Sequence, residues 1–340
     1  DDYRRGIITI TLLGGLAIYA AVIAAVCLLG GRHGQNLREL AGILVGATLM
    51  AALGLLDDRF SLSAPVKLSA QFLIVTALFF AGVRVHLGWL PDLKVHLGWL
   101  QDMMANLGWL ANAEFRREWI LVLDPLNFAI TVIWCLAITN AVNFMDNMDG
   151  LCAGVCGIAS AFFTLISVMN GQIVVGALSA AILGGCAGFL YYNKKPASIF
   201  MGDAGSLFLG LLVAVVGIKL RFQANSNFIT WMVPVLVLAL PIFDTTMVFI
   251  SRIRRGVNPF TTAGKDHLSH RLVEQGLTQL EAVLVLGLVG CFCGLVAVFV
   301  MQADEVEGYQ VGIAAACVGL WMLWRQEWRR KKPAPPAGKA

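Results

Sequence analysis

Acidic side chains are scarce in this chain, and they fall in short clusters: Asp57-Asp58, Asp146 with Asp149, Asp203, and Asp244. Each lies at or near the end of a long apolar segment. Carboxylates are costly beside hydrocarbon and persist there where they bind a metal, a proton or a polar substrate. The Asp57-Asp58 pair of GLLDDRF joins two groups that repel each other, which suits a general base or a metal site. A solvated helix end is the plainer reading of that pair.

The stretch NAVNFMDNMDG, Asn140 to Gly150, is more specific. Asn143, Asp146 and Asp149 recur every three residues, so they share one helical face or turn and can present amide and carboxylate groups to a polar ligand. In NKKPASIFMGDAG, Asp203 opens the next apolar run, where the positive end of a helix dipole welcomes an acid. The stretch SRIRRGVNPFTTAGKDHLSHRL holds Arg252, Arg254, Arg255, Arg271, His267 and His270, a set suited to an anionic ligand. His267 and His270 have no visible third ligand for a metal. HExxH and the phosphate-binding loop of nucleotide hydrolases are both absent.

Carboxylates that hold Mg²⁺, with cations that offset phosphate charge, point to phosphate transfer. The elements that carry them are membrane spans. The chain has 340 residues, 58% hydrophobic and 14% charged, with mean hydropathy +0.76. Soluble domains carry about 25% charged residues. A span needs about 20 apolar residues, and ten runs qualify: 7–30, 39–56, 66–83, 125–142, 150–169, 172–192, 204–220, 229–250, 279–301 and 309–324. They are too long and unbroken for barrel strands. The fold expected is an all-α polytopic membrane protein of about ten transmembrane helices with an active site at the cytoplasmic face. With the N-terminus inside, seventeen of the 25 Lys and Arg fall on the cytoplasmic side. That count ignores the acids, yet it places all four clusters at the same face.

One transmembrane domain is expected over 1–325, followed by a basic, disordered tail over 326–340. Within the domain, 84–119 is an extracytoplasmic loop with Leu-Gly-Trp-Leu at 87–90, 97–100 and 107–110, including surface residues His86 and His96. Residues 251–276 form a cytoplasmic His/Arg loop. The eight cysteines lie in the spans without CxxC spacing, so no disulfide framework is implied. The sequence starts at Asp1 rather than Met, so a trimmed N-terminus is expected.

GLLDD, NAVNFMDNMDGL, FMGDAGSLFLG and the PIFD…HLSH stretch resemble, in order, the motifs of the polyprenyl-phosphate N-acetylhexosamine-1-phosphate transferases (glycosyltransferase family 4). The Arg-rich stretch before the histidines is most similar to the GlcNAc branch. The resemblance implies transfer of sugar 1-phosphate from a UDP-N-acetylhexosamine to undecaprenyl phosphate in a bacterial inner membrane, with release of UMP. Mg²⁺ is the implied cofactor, Mn²⁺ the alternative. It implies Asp57 or Asp58 as base or lipid-phosphate organiser, and Asp203, with Asp57 and Asp58, as metal ligands. Asn143, Asp146 and Asp149 would line the nucleotide site, with Asn193 and Phe200 near the uracil, and His267, His270, Arg254 and Arg255 at the donor. No nucleic-acid partner is expected, and a homodimer is allowed.

The chain departs from the family pattern in four places. Ser269 stands for a third histidine and Asn147 for a glycine. The family's first helix is not found, nor are the Lys or His and Pro that usually precede Gly14-Gly15. Competing readings are a phospho-MurNAc-pentapeptide transferase, an ion-coupled transporter, an inactive scaffold of the same fold, and a CDP-alcohol phosphotransferase. The motif of the last, D-x-x-D-G-x-x-A-R, breaks here at Gly154.

Overall fold

The computed structural model describes residues 14–30, 37–85, 113–222, 231–259, 262 and 264–328. The described residues are helical, in chain order α1 (Gly14–Gly30), α2 (Leu37–Phe60), α3 (Ala64–Ala81), α4 (Ala113–Phe144), α5 (Leu151–Met169), α6 (Ile173–Asn193), α7 (Gly202–Lys219), α8 (Met232–Val237), α9 (Ala239–Arg254), α10 (Leu268–Glu274), α11 (Gln279–Gln302) and α12 (Glu305–Trp328). No strand occurs among them. The Leu-Gly-Trp-Leu repeats, His86 and His96, and the expected tail from 329 onward lie outside the described residues; residues 326–328 of that tail instead close α12, and residues 113–119 of the expected loop open α4.

Eight of these helices are long and apolar enough to cross a membrane. They match eight of the ten expected runs. Another run corresponds to α1, a shorter apolar helix. The run at 229–250 is not one continuous helix but two, α8 and α9, meeting at Leu238. Pro241 has no N–H to give the Val237 carbonyl, so the helical ladder is interrupted there. Bonds from Leu238 N to Pro234 O (3.1 Å) and from Ile242 N to Leu238 O (3.2 Å) carry the chain across the break.

The hydrophobic core is wrapped around α7, which packs against α1, α2, α4, α5 and α6. Its residues from Ala204 to Ile218 are all buried. In hydrocarbon, helices associate by close packing rather than by expelling water, so small residues mark the tight crossings. Gly54 of α2 is such a crossing, because a Cβ there would lie 2.3 Å from the Asp203 carbonyl oxygen. That contact brings the last turn of α2 against the first turn of α7. A half-buried amide pair joins α3 to α4, with Asn140 Nδ2 donating to the buried Gln71 Oε1 at 2.7 Å. Large side chains such as Leu73, Phe80, Leu288 and Phe292 point outward, as they must where the solvent is lipid.

Candidate active site

Four helix ends meet to form a polar floor. The last turn of α2 brings Asp57 and Asp58, the first turn of α3 brings Lys67, the last turn of α4 brings Asn143, and the first turn of α7 brings Asp203 and Ser206. Lys67 Nζ lies 2.7 Å from Asp57 Oδ2 and 2.5 Å from Asp203 Oδ2. Asn143 Nδ2 donates to the other Asp203 oxygen at 2.7 Å and to Ser206 Oγ at 2.8 Å. The two acids that flank Lys67 are 146 positions apart in sequence and share one ammonium.

Asp58 does something different. Its two oxygens accept the N–H groups of Asp203 (2.8 Å) and Ala204 (3.1 Å). These are among the unpartnered donors that open α7. The N-cap position itself, Met201, offers no side-chain cap, so an anion from α2 supplies it and also meets the positive end of the helix dipole. Gly202 makes the approach feasible. Its φ is +66, a left-handed conformation, and a Cβ there would sit 2.7 Å from Asp58 Oδ2.

The α4–α5 turn carries the next acids. Asn143 belongs to the last turn of α4, while Asp146 and Asp149 fall in the turn beyond Phe144. Asp149 Oδ2 accepts from Ala197 N at 3.2 Å. Asn193 is buried; it takes the Gly150 N–H at 2.9 Å and gives to Ile199 O at 2.8 Å. These bonds tie the turn to the loop before α7, and they engage both ends of the Asn193 amide. Phe200, in that loop, is largely exposed. Among the described residues no hydrogen bond or ion pair engages the Asp146 carboxyl. Burial pushes it up to about 7, and the charges of Asp203, Asp58 and Asp149 add to the push.

Beside this floor stands the His segment. Asp244 of α9 is buried and grips its start twice, taking Leu268 N at 2.6 Å and lying 2.7 Å from His267 Nδ1. With Nδ1 held, Nε2 is the nitrogen His267 offers to a ligand. The His270 ring lies 6.5 Å from that of His267. Burial, together with the charges of His267 and Lys265, holds its pKa below the usual histidine value.

Arg254 and Arg255 are not brought to the carboxylate floor. Arg255 Nη2 pairs with Asp266 Oδ2 at 2.7 Å, and Arg252 Nε joins it at 3.3 Å. Burial alone would raise the Asp266 pKa, but these two guanidinium groups hold it below the ordinary carboxylate range. Arg254 stacks 4.2 Å over Trp328 and donates to the Glu327 carbonyl at 2.6 Å. Glu327 also takes the buried Arg271 at 2.5 Å.

The sequence reading therefore finds Asp57, Asp58, Asn143 and Asp203 in one bonded group, with Asp146 and Asp149 in the adjoining turn. His267 is linked to that turn by a contact with Phe144, ring centroids 6.2 Å apart. The reading missed Lys67, counted only as a loop charge. A cation in the first turn of a helix opposes the dipole, and that was the signal that a carboxylate must be near. Asp244 was noted as an acid, but not as the partner of His267.

Among the described residues no three His, Cys, Asp or Glu side chains form a metal cage. Mg²⁺ does not require one, since it commonly binds one or two carboxylates and completes its shell with water and substrate phosphates. The floor and turn hold five carboxylates, and among the described residues Lys67 is the one cation bonded to them. Asp146, raised first by burial and then by the charges of Asp203, Asp58 and Asp149, is the acid among them that a nearby cation would most relieve. In donor chemistry, this group of carboxylates suits a divalent cation that completes its shell with water and phosphate oxygens.

The model of the glycosyl transferase family 4 matches residues 40–221. A Bacillus subtilis (strain 168) protein named "probable undecaprenyl-phosphate N-acetylglucosaminyl 1-phosphate transferase" is 33% identical over 291 residues, 86% of this chain and 73% of that one. A Mycobacterium leprae decaprenyl-phosphate N-acetylglucosaminephosphotransferase is 28% identical, covering 84% of this chain and 71% of its own. A Salmonella typhi undecaprenyl-phosphate alpha-N-acetylglucosaminyl 1-phosphate transferase is 25% identical, covering 82% and 69%.

Proposed function

Because the chain belongs to glycosyl transferase family 4, we propose that it transfers N-acetylglucosamine 1-phosphate from UDP-GlcNAc to undecaprenyl phosphate and releases UMP. The observation that carries this reading is the floor of carboxylates around Lys67 at a set of converging helix ends. A soluble nucleotide sugar and a lipid phosphate can meet only at such a boundary. The face is the cytoplasmic one of a bacterial inner membrane, where the basic residues concentrate.

In the reaction an oxygen of the acceptor phosphate attacks the β-phosphorus of the donor. A new P–O–P bridge forms, the bond from β-phosphorus to the bridging oxygen breaks, and that oxygen leaves on UMP. Lys67, with Asp57, receives the acceptor phosphate. Asn143 fixes the Asp203 carboxylate. Asp58 acts through α7, by holding its first turn in place. His267, through Nε2, and His270 are presented to the donor diphosphate, where charge shifts during transfer. Asp203 and Asp146 would hold Mg²⁺, which when bound would supply electrostatic neutralisation of that diphosphate.

The test is UMP release by purified protein in detergent with undecaprenyl phosphate, UDP-GlcNAc and Mg²⁺, beside Asp203→Asn. Release that requires the lipid phosphate and the metal, and disappears in the variant, is the expected result. Release only with another UDP-sugar would move the donor. No release with any donor from a folded sample would overturn the assignment.

A further inference from the structure

The site is built in two halves. The carboxylate floor belongs to α2, α3, α4 and α7. The His segment is fastened elsewhere, through Asp244 and Asp266 to α9 and through Arg271 to Glu327 of α12. These bonds fasten the histidines to α9 and α12; α9 packs against α4 and His267 touches Phe144, but none of these bonds reaches the carboxylate turn itself.

Of the hydrogen bonds described, one crosses from half to half. Ser269 Oγ donates to Asn147 Oδ1 at 2.6 Å, and Asn147 Nδ2 donates in turn to the Phe144 carbonyl at 2.7 Å. Ser269 is almost fully buried, so its hydroxyl has little access to water. Asn147 follows Asp146 and Ser269 precedes His270. Each partner of the clasp is therefore the chain neighbour of a side chain assigned to the donor. The Asn147 amide is held at both its oxygen and its nitrogen, which makes it a fixed post rather than a swinging arm.

We propose that Asn147 and Ser269 form a positioning clasp that sets the distance between the carboxylate turn and His270. It resists separation of the two halves when the charged donor enters between them. Asn147 and Ser269 are also two of the positions where the chain departs from the pattern it otherwise resembles, so the departures are coupled in space. This inference rests on the proposed transferase reaction for its kinetic consequence, but not for its structural one.

The experiment is a double-mutant cycle with Asn147→Ala, Ser269→Ala and the pair together, each checked for folding by thermal melting in detergent. Each single change is expected to lower kcat about tenfold, the worth of one hydrogen bond. KM for the lipid acceptor, which the His segment does not hold, should move by less than about twofold. The double variant should lose no more than either single one, because a bond can be removed only once. Amide hydrogen exchange over 264–274 is measured on the same samples and should quicken in Ser269→Ala. Additive losses, or unchanged exchange, would overturn the clasp. If the wild-type protein transfers no sugar phosphate, the transferase reading fails by itself and exchange alone decides the clasp. If Ser269→Ala fails to fold, Asn147→Ala decides it: quicker exchange over 264–274 with a lower kcat at unchanged acceptor KM supports the clasp, and unchanged exchange overturns it.

Discussion

Lys67 is the cation that lets Asp57 and Asp203 stand side by side next to hydrocarbon. Replacing it by Met keeps the bulk and removes the charge, leaving two carboxylates facing each other. Lys67→Met is expected to lower kcat for UMP release by at least about 100-fold, the scale of losing one preorganised charge. A loss smaller than about tenfold would remove Lys67 from the acceptor site. Asp146 makes a different prediction, through pH. Its carboxyl is pushed up to about 7 from 3.8, so between these values the folded protein holds a proton that the unfolded chain has released. The stability this confers is complete below about 4 and is lost as pH rises through about 7. Asp146→Asn cannot ionise, so its advantage over wild type should open between pH 4 and 7 and stay level above, worth roughly 2–4 kcal/mol in metal-free protein. Melting temperatures of both proteins at pH 5 and pH 8 test it. An equal difference at the two pH values would mean that Asp146 is not the group being titrated. The same variant should lose transfer activity, because stability and function ask opposite things of this carboxylate.

At the scale of elements, the first turn of α7 is held by a residue from another helix, and this can be separated from charge chemistry. Asp58→Ala removes both acceptors from the Asp203 and Ala204 amides. It should cost about 1–2 kcal/mol, as a lost N-cap does. Asp58→Asn keeps one oxygen and should retain at least half of that stability. If Asn melts as low as Ala in detergent, the cap is not what Asp58 contributes. This arrangement also explains what the sequence could convey. A hydropathy pattern marks where helices end, and acids at the ends of separate spans could be placed on one face by counting, so the carboxylate group was legible before any coordinates. Which acid faces solvent and which faces a helix terminus depends on the crossing at Gly54 and the left-handed Gly202, and no local pattern encodes a crossing. The α8–α9 break was visible as Pro241 but was outweighed by uninterrupted apolarity. Arg254 and Arg255 looked like phosphate ligands because their protein partners, Glu327 and Asp266, lie 73 and 11 positions away and only packing reveals the first. Asn193 resembled a base contact by position, yet its amide is engaged by the turns it joins.

For the whole molecule, the contrast between α7 and α12 shows where rigidity resides. The apolar span of α7 is 83% buried inside the protein, whereas that of α12 is 6% buried. α12 faces lipid over nearly its whole length and is anchored where Glu327 meets Arg271 and Arg254. Glu327→Ala would leave the buried Arg271 without its acid, a change that typically costs about 3–5 kcal/mol. The cost should appear as faster proteolysis between 255 and 276 while α7 stays protected. Uniform loosening of the whole chain would contradict a local anchor. The membrane orientation is a property of the same scale. α11 begins beside the His segment and ends at Gln302, one full span away, so the two ends must lie on opposite faces whatever their absolute direction. Lys265 and Gln302 are both exposed and report those faces. In a variant lacking the eight native cysteines, Lys265→Cys should react with a membrane-impermeant maleimide only in inside-out vesicles, and Gln302→Cys only in right-side-out cells or spheroplasts. The reverse pattern would place the carboxylate floor outside, where a cytoplasmic nucleotide sugar never reaches it. The proposed donor would then be wrong even with every residue of the site in its place.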